Sequence, residues 1–243
     1  MEAGSSVSLA TSRAIYDDAR EAYSVEEHPC HLFRWLQTGV PDADWQLPEP
    51  FNGRSANAGV IFLGLNPSYD PNEGVPRIAS TFAEWDMYYR ARFDSPSEGW
   101  HKLYRRYQRV GELATSDAFR LGIDAVVLEV IRFRSAGGAG CKDPSVLRHE
   151  VPMTGRLLEE LAPRVVIANG SGALWGVQTL WPEIQNALPL GTPLHIVEHK
   201  TFHVETPWGR VGIVPTRHLS ASFGFPLVSL EPLARSVAAV LSE

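Results

Sequence analysis

The chain has 243 residues, with 22 basic and 28 acidic side chains for a formal net charge of −6. That length fits one large domain or a domain with an arm, and 44% apolar with 21% charged residues is a globular balance, which excludes a disordered or fibrous protein. No apolar run approaches a membrane span, the first ten residues lack the basic start and apolar block of a signal peptide, and two distant cysteines, Cys30 and Cys141, exclude a disulfide framework or four-cysteine cluster within the chain. The expectation is a cytoplasmic protein with a monomeric core, no metal, no cofactor and no membrane partner.

Charge becomes informative once it is divided along the chain. Residues 1–50 hold three arginines and nine acids, a net −6, which leaves nineteen basic and nineteen acidic side chains in residues 51–243. A neutral body has no global electrostatic footprint for nucleic acid and does not exclude it either. Residues 1–10 are small and polar and read as disordered. A helix is expected from Thr11 or Ser12, with Ile15, Ala19, Ala22 and Tyr23 on one face, and a second helical piece over residues 30–37. Residues 40–53, rich in Pro, Asp and Trp, read as an ordered loop. Residues 1–55 are therefore expected to form a helical arm packed on a body made of residues 56–243.

The body opens with Val60-Ile61-Phe62-Leu63, a short apolar run that predicts a strand buried on both faces. Gly64 then allows a bend or a close approach to a ligand. Pro67 stops the strand and biases Asn66 toward an extended conformation. An amide is thereby fixed at the C-terminal end of a buried strand, where ligands bind in open α/β sheets. A polar and aromatic section follows to about residue 98. Residues 100–114 place Leu103, Tyr107 and Val110 at helical spacing, with Lys102, Arg105, Arg106 and Arg109 mostly off that face. Those cations read either as a solvated helix surface or as a phosphate-contacting face.

Residues 125–130 read as a second buried strand, interrupted by Glu129. Gly137, Gly138 and Gly140 lack the Lys-Ser or Lys-Thr of a P-loop and read as a connector. Asp143-Pro144 opens a helix to Leu161, Arg164–Ala168 is a third strand, and Asn169–Ala173 is a turn into a helix from Leu174 to about Leu180. Close strand-to-helix packing explains the glycines of that turn. Residues 194–214 read as β-structure in three pieces, 194–199, 201–206 and 210–214, with Pro207-Trp208-Gly209 as the clearest turn. His195, His199 and His203 would share a face of one unbroken strand; a turn near Lys200 divides them, and they read as sheet histidines. The last strand ends in Thr216-Arg217-His218-Leu219-Ser220, before a closing amphipathic helix over residues 232–241.

The motifs at these strand ends carry a family resemblance. Gly64-Leu65-Asn66-Pro67-Ser68 resembles the first active-site motif of the uracil-DNA glycosylase superfamily, which in its mismatch-specific and single-strand-selective branches runs Gly, apolar, Asn, Pro, small. His218-Leu219-Ser220 resembles the closing His-x-Ser motif. Residues 143–173 are similar to the helix–strand–turn unit of the iron–sulfur branch. The resemblance covers residues from about 58 to 241 and implies an α/β fold, a three-layer α/β/α sandwich around a four-stranded parallel sheet. This sequence departs from the family in three places. The usual His-Pro-Ser is His-Leu-Ser, the base-reading Asn of the second strand aligns with Glu129, and the iron–sulfur cysteines are missing.

The resemblance implies a DNA glycosylase of base excision repair, with DNA as partner, that flips a damaged or deaminated base and breaks its N-glycosidic bond. Asn66 would position water and His218 would stabilise the departing base. Gly64, Leu65, Pro67, Ser68, Tyr69, Phe82, Glu129 and Ser220 would line the base site, with Phe82 or Phe93 stacking on the base and Phe223 wedging into the vacated helix. An ionised Glu129 only accepts hydrogen bonds, so specificity other than uracil is expected. Two rivals stand beside this reading. One is a non-catalytic nucleotide- or protein-binding member of the same fold. The other is an unrelated α/β nucleotide-binding or hydrolytic enzyme, for which no Gly-x-Ser-x-Gly elbow or Walker loop is present.

Overall fold

The computed structural model describes residues 13, 14, 17, 52, 53, 58–65, 81–91, 93, 102–131, 144–219 and 230–243. Among the described residues five strands make one sheet: β1 (Val60–Gly64), β2 (Ala125–Glu129), β3 (Val165–Asn169), β4 (Phe202–Thr206) and β5 (Gly209–Thr216), in the order β2-β1-β3-β5-β4. β2, β1, β3 and β5 run parallel, and β4 pairs antiparallel with β5 as an edge strand. The resemblance implied four strands, and the sheet has five. The additional one comes from the turn at Pro207-Trp208-Gly209, because a two-strand hairpin needs only a tight turn whereas each parallel pairing needs a crossover.

Helices lie in those crossovers: α1 (Phe82–Ala91), α2 (Lys102–Ala114), α3 (Pro144–Leu161), α4 (Ser171–Leu180) and the short α5 (Leu194–Val197); α6 (Leu230–Ser242) follows β5. Each parallel strand has an apolar middle, and its side chains alternate between two cores. Ile61, Leu63, Val126, Leu128, Val166 and Ala168 face Leu157, Leu158, Leu174 and Val177 of α3 and α4. Val60, Phe62, Val127, Val165, Ile167 and Val214 face Tyr107, Val110, Leu233 and Val237 of α2 and α6.

Two elements differ from the sequence reading. Residues 194–199, expected as a strand, hold α5, whose short turn follows Pro193. Residues 82–91, within the polar and aromatic section to which no element was assigned, form α1. Its start carries a capping box: Thr81 Oγ1 accepts from the Glu84 N–H at 3.2 Å, and Glu84 Oε2 accepts from the Thr81 N–H at 2.6 Å. Most of the arm lies outside the described residues. Of it, Arg13, Ala14 and Asp17 are helical, and the Arg13 guanidinium sits 5.8 Å from the Phe82 ring centroid. No helix among the described residues is long and apolar enough to cross a membrane.

Candidate functional site

The register places four residues side by side at the C-terminal edge of the parallel strands. Glu129 pairs with Gly64, and Asn169 pairs with Thr216. Leu63 pairs with Ala168, so Gly64 and Asn169 continue the same row. By strand alternation all four project toward α2 and α6. With about 4.8 Å between strands, the row from Glu129 to Thr216 crosses the edge in three steps.

Gly64 is the gap in this row, and the Glu129 carboxylate fills it. A Cβ on Gly64 would overlap Oε2 of Glu129 and lie 2.7 Å from Oε1. Asn169 is buried and bridges two elements. Its Oδ1 accepts from the Leu219 N–H at 2.8 Å, and its Nδ2 donates to Tyr107 Oη at 2.6 Å. The backbone donor settles which end of the amide faces which partner. Tyr107 reaches the row from α2, stacked on Phe62 with ring centroids 4.1 Å apart. Burial, then the nearby Glu129 carboxylate, then Tyr104 hold its phenol well above the usual range near 10.0, against the lowering effect of Asn169.

The segment carrying His218 is held from both sides. Arg106 Nη1 of α2 donates to the Leu219 carbonyl at 3.0 Å, while Asn169 takes the Leu219 N–H. Leu219 itself is buried in the α2/α6 core. The His218 ring packs over Gly170, its Cδ2 3.5 Å from where a Cβ would stand, and Gly170 has φ 98°, a conformation that favours glycine. At the far end of the row Thr216 Oγ1 lies 3.4 Å from His199 Nε2. Glu198 Oε1 accepts from Arg217 Nε at 2.8 Å and sits 3.7 Å from the same imidazole nitrogen. Burial lowers the His199 pKa below its usual 6.5; Glu198 opposes this and Arg217 adds to it.

Of the residues expected at the site, Asn66, Pro67, Ser68, Tyr69, Ser220 and Phe223 lie outside the described residues, as do Cys30 and Cys141. Gly64, Glu129 and His218 are at the C-terminal edge. Leu65 packs on the α3/α4 core, against Gly172, and Phe82 packs on that same core, opposite the face of the row. Phe93 is buried in the α2/α6 core against Gly122. The glycines after β3 serve close packing: a Cβ on Gly172 would lie 2.7 Å from Leu65 Cδ2, and one on Gly176 3.0 Å from Val130 Cγ1. His195 sits on α5 and not in a strand, His203 is in β4, and no group of three or more potential metal-ligating side chains is found among the described residues. Tyr107, Arg106, Asn169 and Thr216 were not expected at the site. Their helical and turn positions were legible, but the row that joins them is a matter of sheet register.

In comparisons with known proteins, no family model matches the chain, and no curated protein matches it significantly.

Proposed function

We propose that the chain is an N-glycosidic-bond hydrolase acting on a base flipped out of DNA. One observation carries this reading: at one edge of a parallel sheet, Glu129, Gly64 and Asn169 stand in register beside a His218 segment clamped by Asn169 and Arg106. In the motif reading, the bond breaks through an oxocarbenium-like sugar while charge builds on the departing base. His218 hydrogen-bonds to that charge, and the carbonyl of Asn66 orients the attacking water. Glu129 reads the base. A carboxylate offers acceptors only, so it serves a base that presents donors, such as one with an exocyclic amino group. Uracil presents an acceptor oxygen beside its N–H and would meet like charge there. Mismatches at sites built around hydrogen bonds reach about 10⁴-fold in discrimination.

The test is abasic-site formation across a panel of oligonucleotides carrying different damaged bases. Excision of an amino-bearing base, weak action on uracil, and a gain in uracil excision by Glu129→Asn are the expected results. Efficient uracil removal that Glu129→Gln and Glu129→Ala leave undiminished would show that Glu129 does not read the base. Absence of abasic sites across the whole panel would leave the second reading, a non-catalytic nucleotide-binding protein of the same fold. The closure of the row favours that reading, because both ends of the Asn169 amide are committed to the protein itself.

A further inference from the structure

We infer that the outer face of α2 is a docking surface for the phosphodiester backbone of a nucleic acid. Four cations, Lys102, Arg105, Arg106 and Arg109, lie on this helix, with one acid, Glu112, near its end. At about 100° per residue they fall within an arc of about 100°. Of the buried residues, Tyr107 and Gly111 occupy the opposite side and Val110 lies between. Lys102, Arg105 and Arg109 are exposed, and only Arg109 has an acidic partner in the helix, Glu112 at 3.0 Å. The stripe runs about 10 Å along the axis, the span of about three successive phosphates of one strand.

Two observations set this stripe apart from an ordinary solvated face. The first is its polarity along the helix. A helix that only needed stability would place acids in its first turn. This one has none there, and three of its four cations sit within the first five residues. The arrangement is mildly unfavourable alone and becomes favourable when an anion is near. The second is its place. Residues 51–243 are neutral as a whole, so the cations are a local gathering. Arg106 joins the stripe to the His218 segment by donating to the Leu219 carbonyl. Tyr107, the next residue, meets Asn169 at the C-terminal edge. α2 thus carries the stripe on its outer side and meets the row of polar residues through Tyr107 on its inner side. Nucleic acid is the occupant that this charge and spacing fit.

The inference deepens the glycosylase reading by naming how the polymer is held, but it concerns binding and stands or falls separately. The experiment is fluorescence anisotropy of a labelled oligonucleotide with the full chain, at salt from about 50 to about 200 mM. Lys102→Gln/Arg105→Gln is the stripe variant. Arg148→Gln/Arg156→Gln removes equal charge from exposed positions on α3. The stripe variant is expected to bind at least about tenfold more weakly, equally across base sequences, with the salt slope reduced by about 1.8. The α3 variant is expected to match the wild type. No binding by the wild type, unchanged binding by the stripe variant, or equal loss in both variants would overturn the inference. Binding through the stripe without abasic sites would refute the glycosylase reading and leave this one standing. Abasic sites formed by a chain whose binding ignores the stripe would do the reverse.

Discussion

Asn169 is the residue on which the site's geometry turns. It donates to a phenol 62 positions earlier and accepts from a backbone amide 50 positions later. In the local sequence it looks like the first residue of a glycine-rich turn, because nothing within a few positions reveals either partner. Removing it would leave the buried Leu219 N–H and Tyr107 hydroxyl short of a partner each. At about 1–3 kcal/mol for each buried group left unsatisfied, Asn169→Ala should cost roughly 2–6 kcal/mol, read from urea unfolding. It should also loosen the His218 segment, seen as a shifted and broadened imidazole resonance of His218. A loss below about 1 kcal/mol, with the His218 signal unmoved, would mean that Arg106 alone holds the segment. Glu129 was legible as an anomaly, a carboxylate in an apolar run. Its resting place over Gly64 was not, since it depends on β1 and β2 pairing in that register.

At the scale of elements, the parallel strands and α2, α3, α4 and α6 were legible because each is a short apolar run or a longer helical one. α5 escaped because its four residues, Leu-His-Ile-Val, suit a strand by composition. α1 escaped although its capping box is written in Thr81 and Glu84; its polar and aromatic composition hid the pattern. The packing of α4 on the sheet supports a contrast between two glycines. Gly176 faces the branched end of Val130, with a would-be Cβ 3.0 Å from Cγ1 and closer still to Cγ2, and Val is stiff at χ1. Alanine there gains about 1 kcal/mol of helix propensity and incurs about 1–3 kcal/mol of overpacking. Gly176→Ala is therefore expected to destabilise the protein by about 1 kcal/mol in denaturant titration. Gly64→Ala meets the end of a flexible Glu side chain, which can swing away. That variant should lose less stability than Gly176→Ala while displacing the Glu129 carboxylate. A larger loss for Gly64→Ala than for Gly176→Ala would show that Glu129 is locked in place over the strand end.

For the whole molecule, two titratable groups beside the row, Tyr107 at Asn169 and His199 at Thr216, set limits on stability from opposite directions. Tyr107 lies between α2 and the sheet, faced by Glu129 and Tyr104, and its folded pKa is raised above 10.0. A raised pKa means that the folded state keeps its proton when the unfolded chain has lost it. Its contribution is complete below the unfolded value and is lost as pH climbs above it. His199 lies where β5, α5 and α6 meet. Its N–H donates to the Pro215 carbonyl at 2.8 Å, and its carbonyl accepts from Ser236 Oγ at 2.6 Å. Glu198 and Arg217 are the charged groups that face it, and burial leads in depressing its pKa below 6.5. Here the unfolded chain binds the proton first, so the contribution is complete above the unfolded value and is lost as pH falls below it. Melting temperature against pH should therefore show a plateau from about 6.5 to about 10, with a shoulder at each end. Tyr107→Phe should flatten the alkaline shoulder and leave the acidic one. His199→Asn should do the reverse, and Asn is the substitution of choice because position 199 has φ 62°, which Asn tolerates better than most residues. An alkaline shoulder that persists in Tyr107→Phe would place its source in another group, and the phenol's burial beside Glu129 would then carry no consequence for folding.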